Sequence, residues 1–295
     1  MPEDLPQLAG WRFHRKLKVT DFSDIWLAED VALERAVAIK LFKPKADEDG
    51  IVPPFHVDEW RRRFLIEARQ QARFDHPHIV PVVALDYLAD GTPALVMQHM
   101  WGSLRGEAGG DVLEPRTNPR GGEALAPQDQ PRALPAVRVR QVLIETLSAL
   151  SALHARHMVH RDVKPSNLLL TNGPGSRVKL TDFGMLRLPD EAPSAERVWI
   201  GTLDYISPEQ YQDAHLVTDR ADIFSVAMVG WRLLTGALPD KTKPLEAPGH
   251  DEAFCDLLRR VLSSPPDRRS SAPEMIGRLA ALQLPGLAGS RAAGA

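Results

Sequence analysis

Residues 160–167 read HRDVKPSN, and the apolar run LLL follows directly at 168–170. This stretch contains a carboxylate, Asp162, a cation, Lys164, and a carboxamide, Asn167. Asp162 can accept the proton of a hydroxyl group, Lys164 can steady a charged group during transfer, and the Asn167 side-chain oxygen can bind a hard cation. The stretch therefore predicts a catalytic loop between a helix and an apolar strand.

A second acid follows in the triplet DFG at 182–184, after the strand-like run VKLT at 178–181. Asp182 and Asn167 together supply oxygen ligands of the kind that Mg²⁺ prefers. Phosphoryl transfer needs metal ions that neutralise phosphates, a cation that holds them and a group that orients the attacking hydroxyl, with little covalent chemistry from the protein. The two stretches therefore indicate phosphoryl-transfer chemistry.

The run VAIK at 37–40 supplies the remaining cation. Because alternate side chains of a strand share a face, Ala38 and Lys40 are expected to point the same way. The small residue would admit a flat base, and the lysine would reach phosphates. Glu67 lies on the apolar side of a helix predicted over about 58–74, and burial of a lone carboxylate is costly. Lys40 is therefore its expected partner, although each residue taken alone is compatible with exposure to solvent.

The order of predicted elements indicates an α+β fold of two lobes. The helix over 58–74, with Asp58 as its N-cap, interrupts short β-type runs, which are 24–28, 35–42, 80–88 and 93–98. After residue 135 helical patterns dominate, and the run 221–234 is apolar nearly all round, which predicts a buried central helix. The Gly- and Pro-containing stretch 102–135 and the tail 285–295 are expected to be irregular.

The composition argues against several other classes of protein. The 295 residues carry a net charge of −3, so nothing favours nucleic acid as a partner. The single cysteine, Cys255, cannot form an internal disulfide or a metal cluster. No run reaches the roughly 18 apolar residues of a membrane helix, and the first residues lack the charged and apolar parts of a signal peptide. We therefore expect a soluble, cytoplasmic protein without a membrane span.

The runs VAIK, HRDVKPSN and DFG, in this order and with Glu67 among them, resemble the signature set of protein kinases. The resemblance covers about residues 11–284, and Lys164 makes the catalytic loop similar to that of serine/threonine kinases, above all the bacterial eukaryotic-like (Hanks-type) ones. It implies a bilobal α+β fold, with a small antiparallel β-sheet and one main helix in the N-lobe and a mostly helical C-lobe. It also implies an enzyme that uses ATP and Mg²⁺, with Mn²⁺ as the alternative ion, to phosphorylate serine and threonine of proteins, itself included.

The domain divisions that the resemblance implies are an N-lobe at 8–97, a hinge at 98–101, a C-lobe at 102–284 with a flexible insertion at about 102–135, and a disordered tail at 285–295.

The resemblance also implies roles for individual residues. The catalytic residues would be Lys40, Glu67, Asp162 and Lys164, and the metal ligands Asn167 and Asp182. The ATP-binding residues would be Leu17, Lys18, Ile25, Ala38, Lys40, the gatekeeper Met97, Gln98, Met100 and Leu169. The stretch GTLDYISPE at 201–209 resembles a substrate-docking segment, in which Thr202 would bond to the catalytic loop and Glu209 would pair with Arg268. Ser194 would be the candidate autophosphorylation site, with a plain loop serine as the alternative, and Asp222 would brace the catalytic loop.

The hairpin that covers the nucleotide in such kinases departs from the pattern. Lys18, Thr20 and Ser23 occupy the three positions where glycines would let backbone amides approach phosphates closely. Asp21 and Asp24 are expected to repel phosphates. A pseudokinase with weak or no turnover therefore stays open as the alternative to an active enzyme. A kinase-fold enzyme acting on small molecules is a further alternative that the docking segment disfavours, and a homodimer is also open.

Overall fold

The structure, a computed structural model, describes residues 5–20, 22–45, 51–52, 55–110, 129–189, 204–213, 217–239 and 244–284. The chain divides into two compact units. The first comprises residues 1–101 and 181–186, and the second comprises residues 102–180 and 187–295. Among the described residues, the helices are all too short or too polar to cross a membrane.

An antiparallel sheet of five strands dominates the first unit. Its strands are β1 (Trp11–Val19), β2 (Ser23–Asp30), β3 (Arg35–Phe42), β6 (Val82–Tyr87) and β7 (Pro93–Gln98), in the spatial order β1-β2-β3-β7-β6. A separate hairpin pairs β4 (Ile51–Val52) with β5 (Phe55–His56). Alternate residues of the large sheet form an apolar core, which contains Phe13, Trp26, Ala28, Val37, Ile39, Leu41, Ala94 and Val96. Because side chains alternate along a strand, the opposite face carries Ile25, Ala38, Lys40 and Met97.

Helix α1 (Val57–Gln71) is capped by His56 and not by Asp58. The His56 backbone is extended, and its Nδ1 accepts a hydrogen bond from Asp58 N at 3.3 Å, so His56 is the N-cap and the predicted Asp58 cap is wrong. Asp58 lies instead in the first turn, where its charge suits the positive end of the helix. The inward side of α1 carries buried residues at steps of three and four, namely Trp60, Phe64, Glu67 and Gln71.

The described part of the second unit is mostly helical. Its helices are α2 (Leu104–Ala108), α3 (Ala136–His154), α4 (Pro208–Gln212), α5 (Arg220–Thr235), α6 (Glu252–Ser263) and α7 (Ala272–Ala281). A small sheet joins β8 (Gly102–Ser103), β9 (Leu168–Leu170) and β10 (Val178–Leu180) in the order β10-β9-β8. Helix α5 is buried over 221–234, which confirms the predicted central helix. Gly230 lets its neighbours approach closely, because a Cβ there would lie 2.8 Å from Leu143 and 3.0 Å from Leu258.

Residues 102–110 are packed, in contrast to the irregular stretch expected at 102–135. Leu104 and Ala108 are four residues apart, so they lie on one side of α2, and both are fully buried. The chain at 102–110 is therefore part of the second unit's core, and residues 111–128 lie outside the described residues.

Arg232 of α5 joins the two ends of the segment that contains residues 111–128. Its Nη2 donates to the carbonyl oxygens of Ala108 at 3.2 Å and Gly110 at 3.0 Å, and its Nη1 donates to Arg132 O at 3.4 Å. Gly110 N also donates to Asp129 O at 2.7 Å. The chain is thus held on both sides of the segment by one buried guanidinium group.

Candidate active site

Lys40 of β3 is the centre of a buried charge cluster in the first unit. Its Nζ donates to both carboxylate oxygens of Glu67 at 2.8 Å and to Oδ1 of Asp182 at 3.1 Å. These contacts use all three N–H donors of the ammonium group. The strand supplies the lysine from its face opposite the apolar core, and α1 supplies the glutamate from its inward side. The structure therefore brings together Lys40, Glu67 and Asp182, three residues singled out from the sequence.

The charges of this cluster are only partly balanced. Burial alone would lower the pKa of Lys40, but the carboxylates of Asp182 and Glu67 outweigh burial and raise the pKa above its ordinary value. The ammonium group therefore stays charged at neutral pH, and it faces two carboxylates. Gly184 admits this arrangement, because a Cβ there would lie 3.3 Å from Glu67 Oε2 and 3.6 Å from Asp182 Oδ1. Burial, the largest cause, also raises the pKa of Glu67, and the charge of Lys40 opposes that rise.

Hydroxyl groups, in place of glycines, close the turn between β1 and β2. Thr20 N donates to Ser23 O at 2.8 Å, Ser23 N donates to Thr20 Oγ1 at 3.0 Å, and the two hydroxyl oxygens lie 2.9 Å apart. The Phe22 ring stacks on Trp60 of α1, with centroids 4.5 Å apart and planes inclined by 7°. Lys40 Nζ lies 5.4 Å from the Phe22 ring centroid. The tip of this hairpin is therefore attached to α1 beside Lys40.

Asp24 does not have the repulsive effect that the sequence suggested. Its carboxylate is buried and pairs with Lys16 at 3.3 Å and Lys43 at 3.4 Å. Because Ile25 occupies the face of the sheet that carries Lys40, the preceding side chain points to the opposite face. Two lysines compensate the charge of Asp24, which argues against the expected phosphate repulsion, and Asp21 lies outside the described residues.

The residues expected to contact ATP lie mainly on the strands of the first unit. Leu17 and Lys18 are exposed on β1, and Lys18 is in register with Ile25. Ala38 of β3 is in register with Met97 of β7, Gln98 ends β7, and Met100 is buried. Leu169 lies on β9 of the second unit. The Gln98 backbone N–H donates to Pro81 O at 3.0 Å, so that amide is already engaged.

In the second unit, Asp162 forms an ion pair with Lys164 and accepts hydrogen bonds from Asn167. Asp162 Oδ2 lies 2.8 Å from Lys164 Nζ, and Asn167 Nδ2 donates at 2.9 Å both to this oxygen and to the Asp162 carbonyl. Asn167 ends a short 3₁₀ turn, Pro165–Asn167, which directs its side chain back to the loop. The carboxylate of Asp162 is thus fixed in direction by one cation and one amide.

Asp222, at the start of α5, holds the backbone of the catalytic loop at residues 160 and 161. Its carboxylate accepts from the backbone N–H groups of His160 and Arg161, each at 2.9 Å, and from Nε2 of His154 at 2.8 Å. Burial alone would raise the pKa of Asp222, but the hydrogen bond and charge of His154 and the bond from His160 N hold it below its ordinary value. The charged form of Asp222 therefore anchors the backbone that leads into Asp162.

Glu209 pairs with Arg269, and the predicted pairing with Arg268 is wrong. Both guanidinium Nη atoms of Arg269 bond to the Glu209 carboxylate, through Nη1 to Oε1 and through Nη2 to Oε2 at 3.1 Å. The 3₁₀ turn Pro266–Arg268 leaves the Arg268 side chain exposed and places the next side chain inward. The turn therefore decides which of two adjacent arginines is buried.

Sequence reasoning did not single out Trp60, His154 or Gln210 as site residues. His154 had a detectable signal, because it is a polar residue in the apolar stripe of α3. Trp60 stacks on a residue 38 positions away, and no local pattern indicates that partner. Ser194 and Thr202, predicted as activation-segment residues, lie outside the described residues.

Comparison with known proteins identifies the family. The protein kinase domain family matches residues 15–278. The chain is 34% identical over 225 residues to the serine/threonine-protein kinase PknA of Corynebacterium glutamicum, an alignment that covers 74% of this chain and 41% of that protein. It is 32% identical over 225 residues to the serine/threonine-protein kinase drp72 of Corynebacterium efficiens, with coverage of 74% and 37%. It is 29% identical over 280 residues to PknA of Mycobacterium tuberculosis, with coverage of 93% and 56%.

These alignments span only 37% to 56% of the relatives' own length. The antiparallel sheet with one main helix and the mostly helical second unit confirm the predicted α+β protein-kinase fold. Because the family match covers nearly the whole chain, the chain belongs to the protein kinase domain family.

Proposed function

We propose that this chain is a serine/threonine protein kinase that transfers the γ-phosphoryl group of Mg-ATP to hydroxyl groups of proteins. The observation that carries the proposal is the contact of Lys40 Nζ with both oxygens of Glu67 at 2.8 Å. In protein kinases this ion pair must be in place for transfer. The relatives named as serine/threonine-protein kinases support the same activity.

The residues of the catalytic loop have separable roles in this proposal. Asp162 orients the attacking hydroxyl and accepts its proton, because two side chains hold its carboxylate in one direction. Lys164, 2.8 Å from that carboxylate, stabilises negative charge on the group in transfer. Lys40 holds the phosphates of ATP. Since its three N–H donors are engaged, a phosphate oxygen takes the place of Asp182 as its third acceptor.

Asp182 of the first unit and Asn167 of the second each offer an oxygen of the kind that a divalent cation binds. The two bonds from Asn167 Nδ2 to Asp162 fix the orientation of the amide, so the side-chain oxygen of Asn167 is the atom left to act as a ligand. The Asp182 side chain is 28% exposed, whereas those of Lys40 and Glu67 are 4% and 2% exposed. Mg²⁺ suits one or two such oxygen ligands together with substrate phosphates, and Mn²⁺ is the alternative. A divalent ion bound by these oxygens would supply charge neutralisation for the phosphates.

The hairpin at Thr20–Ser23 affects nucleotide affinity more than chemistry in this proposal. The backbone N–H groups of Thr20 and Ser23 donate hydrogen bonds within the turn. They therefore do not serve as phosphate donors in the way that glycine amides would. We therefore expect transfer with a raised ATP requirement. The pseudokinase alternative predicts no transfer at any ATP concentration.

The test is transfer from γ-labelled ATP to casein by the purified chain, with phosphoamino-acid analysis of the product. Lys40→Met and Asp162→Asn are the controls. Labelled phosphoserine or phosphothreonine well above both controls, dependent on Mg²⁺ or Mn²⁺, is the expected result. Label no greater than in the controls would support the pseudokinase, and label confined to small molecules would support the small-molecule alternative. Calorimetry with a non-hydrolysable ATP analogue, with and without Mg²⁺, separates loss of binding from loss of transfer.

Autophosphorylation is part of the proposal, with Ser194 as the modified residue. Mass spectrometry of the chain after incubation with Mg-ATP tests it, and Ser194→Ala is the control. An active enzyme without phosphate on Ser194 would exclude this site.

A further inference from the structure

We propose that Gln210 is a positioning residue for Asp162, an inference that rests on the proposed phosphoryl transfer. Gln210 lies on α4 and is buried, with 1% of its surface exposed. Its Nε2 donates to the carbonyl oxygen of Arg161 at 2.7 Å, across 49 residues of sequence. That carbonyl belongs to the peptide group that joins Arg161 to Asp162.

The Arg161 backbone needs an external restraint. Its φ angle is +68°, in the left-handed region that residues other than glycine adopt at a cost. Asp222 holds the N–H of Arg161 at 2.9 Å, and Gln210 holds the carbonyl oxygen of the same residue. The residue is therefore fixed on both sides, by a carboxylate from α5 and by an amide from α4.

Rotation of the Arg161–Asp162 peptide would move the carboxylate of Asp162. That carboxylate reaches Lys164 at 2.8 Å and Asn167 at 2.9 Å, and both contacts depend on its present direction. A misplacement of about 1 Å in a catalytic group can reduce turnover by about 10²-fold. The hydrogen bond from Gln210 thus helps to set the direction in which Asp162 meets a hydroxyl group.

Gln210 is itself held by its short helix. Ser207 caps α4, and its Oγ accepts from Gln210 N at 3.3 Å. The neighbouring Glu209 ties the helix to Arg269. The hydrogen bond from Gln210 therefore couples α4 to the catalytic loop through one side-chain amide.

The experiment compares two substitutions of Gln210 with two controls. Gln210→Met keeps length and volume but removes the N–H donor, and Gln210→Glu replaces the donor with a group that donates only when protonated. Ser225→Ala removes the bond from Ser225 Oγ to Tyr205 O at 2.8 Å, a bond between α5 and the same segment whose two partners lie outside residues 160–167. Gln212→Met alters an exposed residue of α4.

We expect Gln210→Met to lower kcat about tenfold or more, with the KM for ATP within about twofold of wild type. The ratio of the kcat of Gln210→Glu to that of wild type should fall as pH rises, because the glutamic acid loses its donor proton. The same ratio for Gln210→Met should not change with pH. Both controls should keep kcat within about twofold of wild type, even where Ser225→Ala lowers the Tm as much as Gln210→Met does.

Hydrogen exchange gives a readout that needs no turnover. A peptide spanning residues 160–167 should lose protection in Gln210→Met and keep it in Ser225→Ala. Unchanged kcat and unchanged protection in Gln210→Met would overturn the role of Gln210, as would equal losses of kcat in Ser225→Ala at matched Tm. A wild-type chain that transfers no phosphoryl group would instead refute the proposed function, and the exchange comparison would still decide whether Gln210 restrains the loop.

Discussion

Replacement of two adjacent arginines should give very different losses of stability. Arg269 bonds to Glu209 through both Nη atoms, and its Nε donates to Ser264 O at 3.1 Å. Its guanidinium carbon also lies 5.0 Å from the Phe224 ring centroid, and its side chain is 2% exposed. Arg268, the next residue towards the N-terminus, is exposed. The pair Arg269→Met and Arg268→Met therefore changes the same residue type at neighbouring positions in opposite environments.

The structure sets the expected magnitude. Removal of one partner from a buried ion pair costs about 3–5 kcal/mol, because the other charge stays buried. The Glu209 side chain is 22% exposed and can be hydrated in part, so the lower end of that range, about 3 kcal/mol, applies to Arg269→Met. Arg268→Met should stay within about 0.5 kcal/mol of wild type. At about 2–4 °C per kcal/mol, the Tm of Arg269→Met should fall by about 6–12 °C.

The assay is thermal and urea unfolding, extended to a double-mutant cycle with Glu209→Gln. The coupling energy between Arg269 and Glu209 should be about 1–3 kcal/mol at pH 7. Burial alone would raise the pKa of Glu209, but the hydrogen bonds from Arg269, from the Glu209 backbone and from Ser207, with the charge of Arg269, together hold the pKa below its ordinary value. The coupling is therefore fully present above the ordinary glutamate pKa of about 4.3 and is lost as pH falls through the lower folded-state value. An equal or larger loss in Arg268→Met would refute the assignment.

Two further predictions concern the hairpin and the brace. A double-mutant cycle of Phe22→Leu and Trp60→Leu, followed by urea unfolding, should give a coupling of about 1 kcal/mol from the stacked rings, and a coupling near zero would show that the hairpin is not attached to α1 in this way. Asp222→Asn should lower the unfolding free energy by about 2–4 kcal/mol at pH 7, since it weakens charge-assisted bonds to two backbone N–H groups and to His154. Because the folded-state pKa of Asp222 is lowered, this difference should shrink as pH falls below the ordinary aspartate value of about 3.9, and a difference that grows with acidity would contradict the assignment.

The sequence predicted the elements whose pattern is local. The strands at 35–42 and 93–98 have the predicted bounds, because each is an apolar run of strand length. The pairing of Lys40 with Glu67 followed from the cost of a lone buried charge, which forces an inward carboxylate to find a cation. The start of α1 was misplaced because a histidine side chain serves as its cap, although histidine is not among the residues that usually indicate one.

Other features depended on geometry that the sequence does not encode locally. The choice between Arg268 and Arg269 rests on the phase of a single 3₁₀ turn, and both residues satisfy the same pattern. The direction of Asp24 is an exception, because strand alternation predicts it locally once Ile25 is assigned to the nucleotide side. The contact of Gln210 with Arg161 O spans 49 residues, so only the folded chain reveals it.

Arg232 has a consequence for how the chain tolerates change in length. It bonds to carbonyl oxygens on both sides of residues 111–128, and Gly110 N meets Asp129 O at 2.7 Å. The ends of that segment are therefore already joined within the second unit, whatever lies between them. Each doubling of a loop between fixed ends costs only about 0.6 kcal/mol. The chain between Gly110 and Asp129 is thus a suitable place for a deletion, an insertion or a grafted peptide, such as a tag or a recognition sequence. We expect the rest of the domain to fold unchanged in such variants.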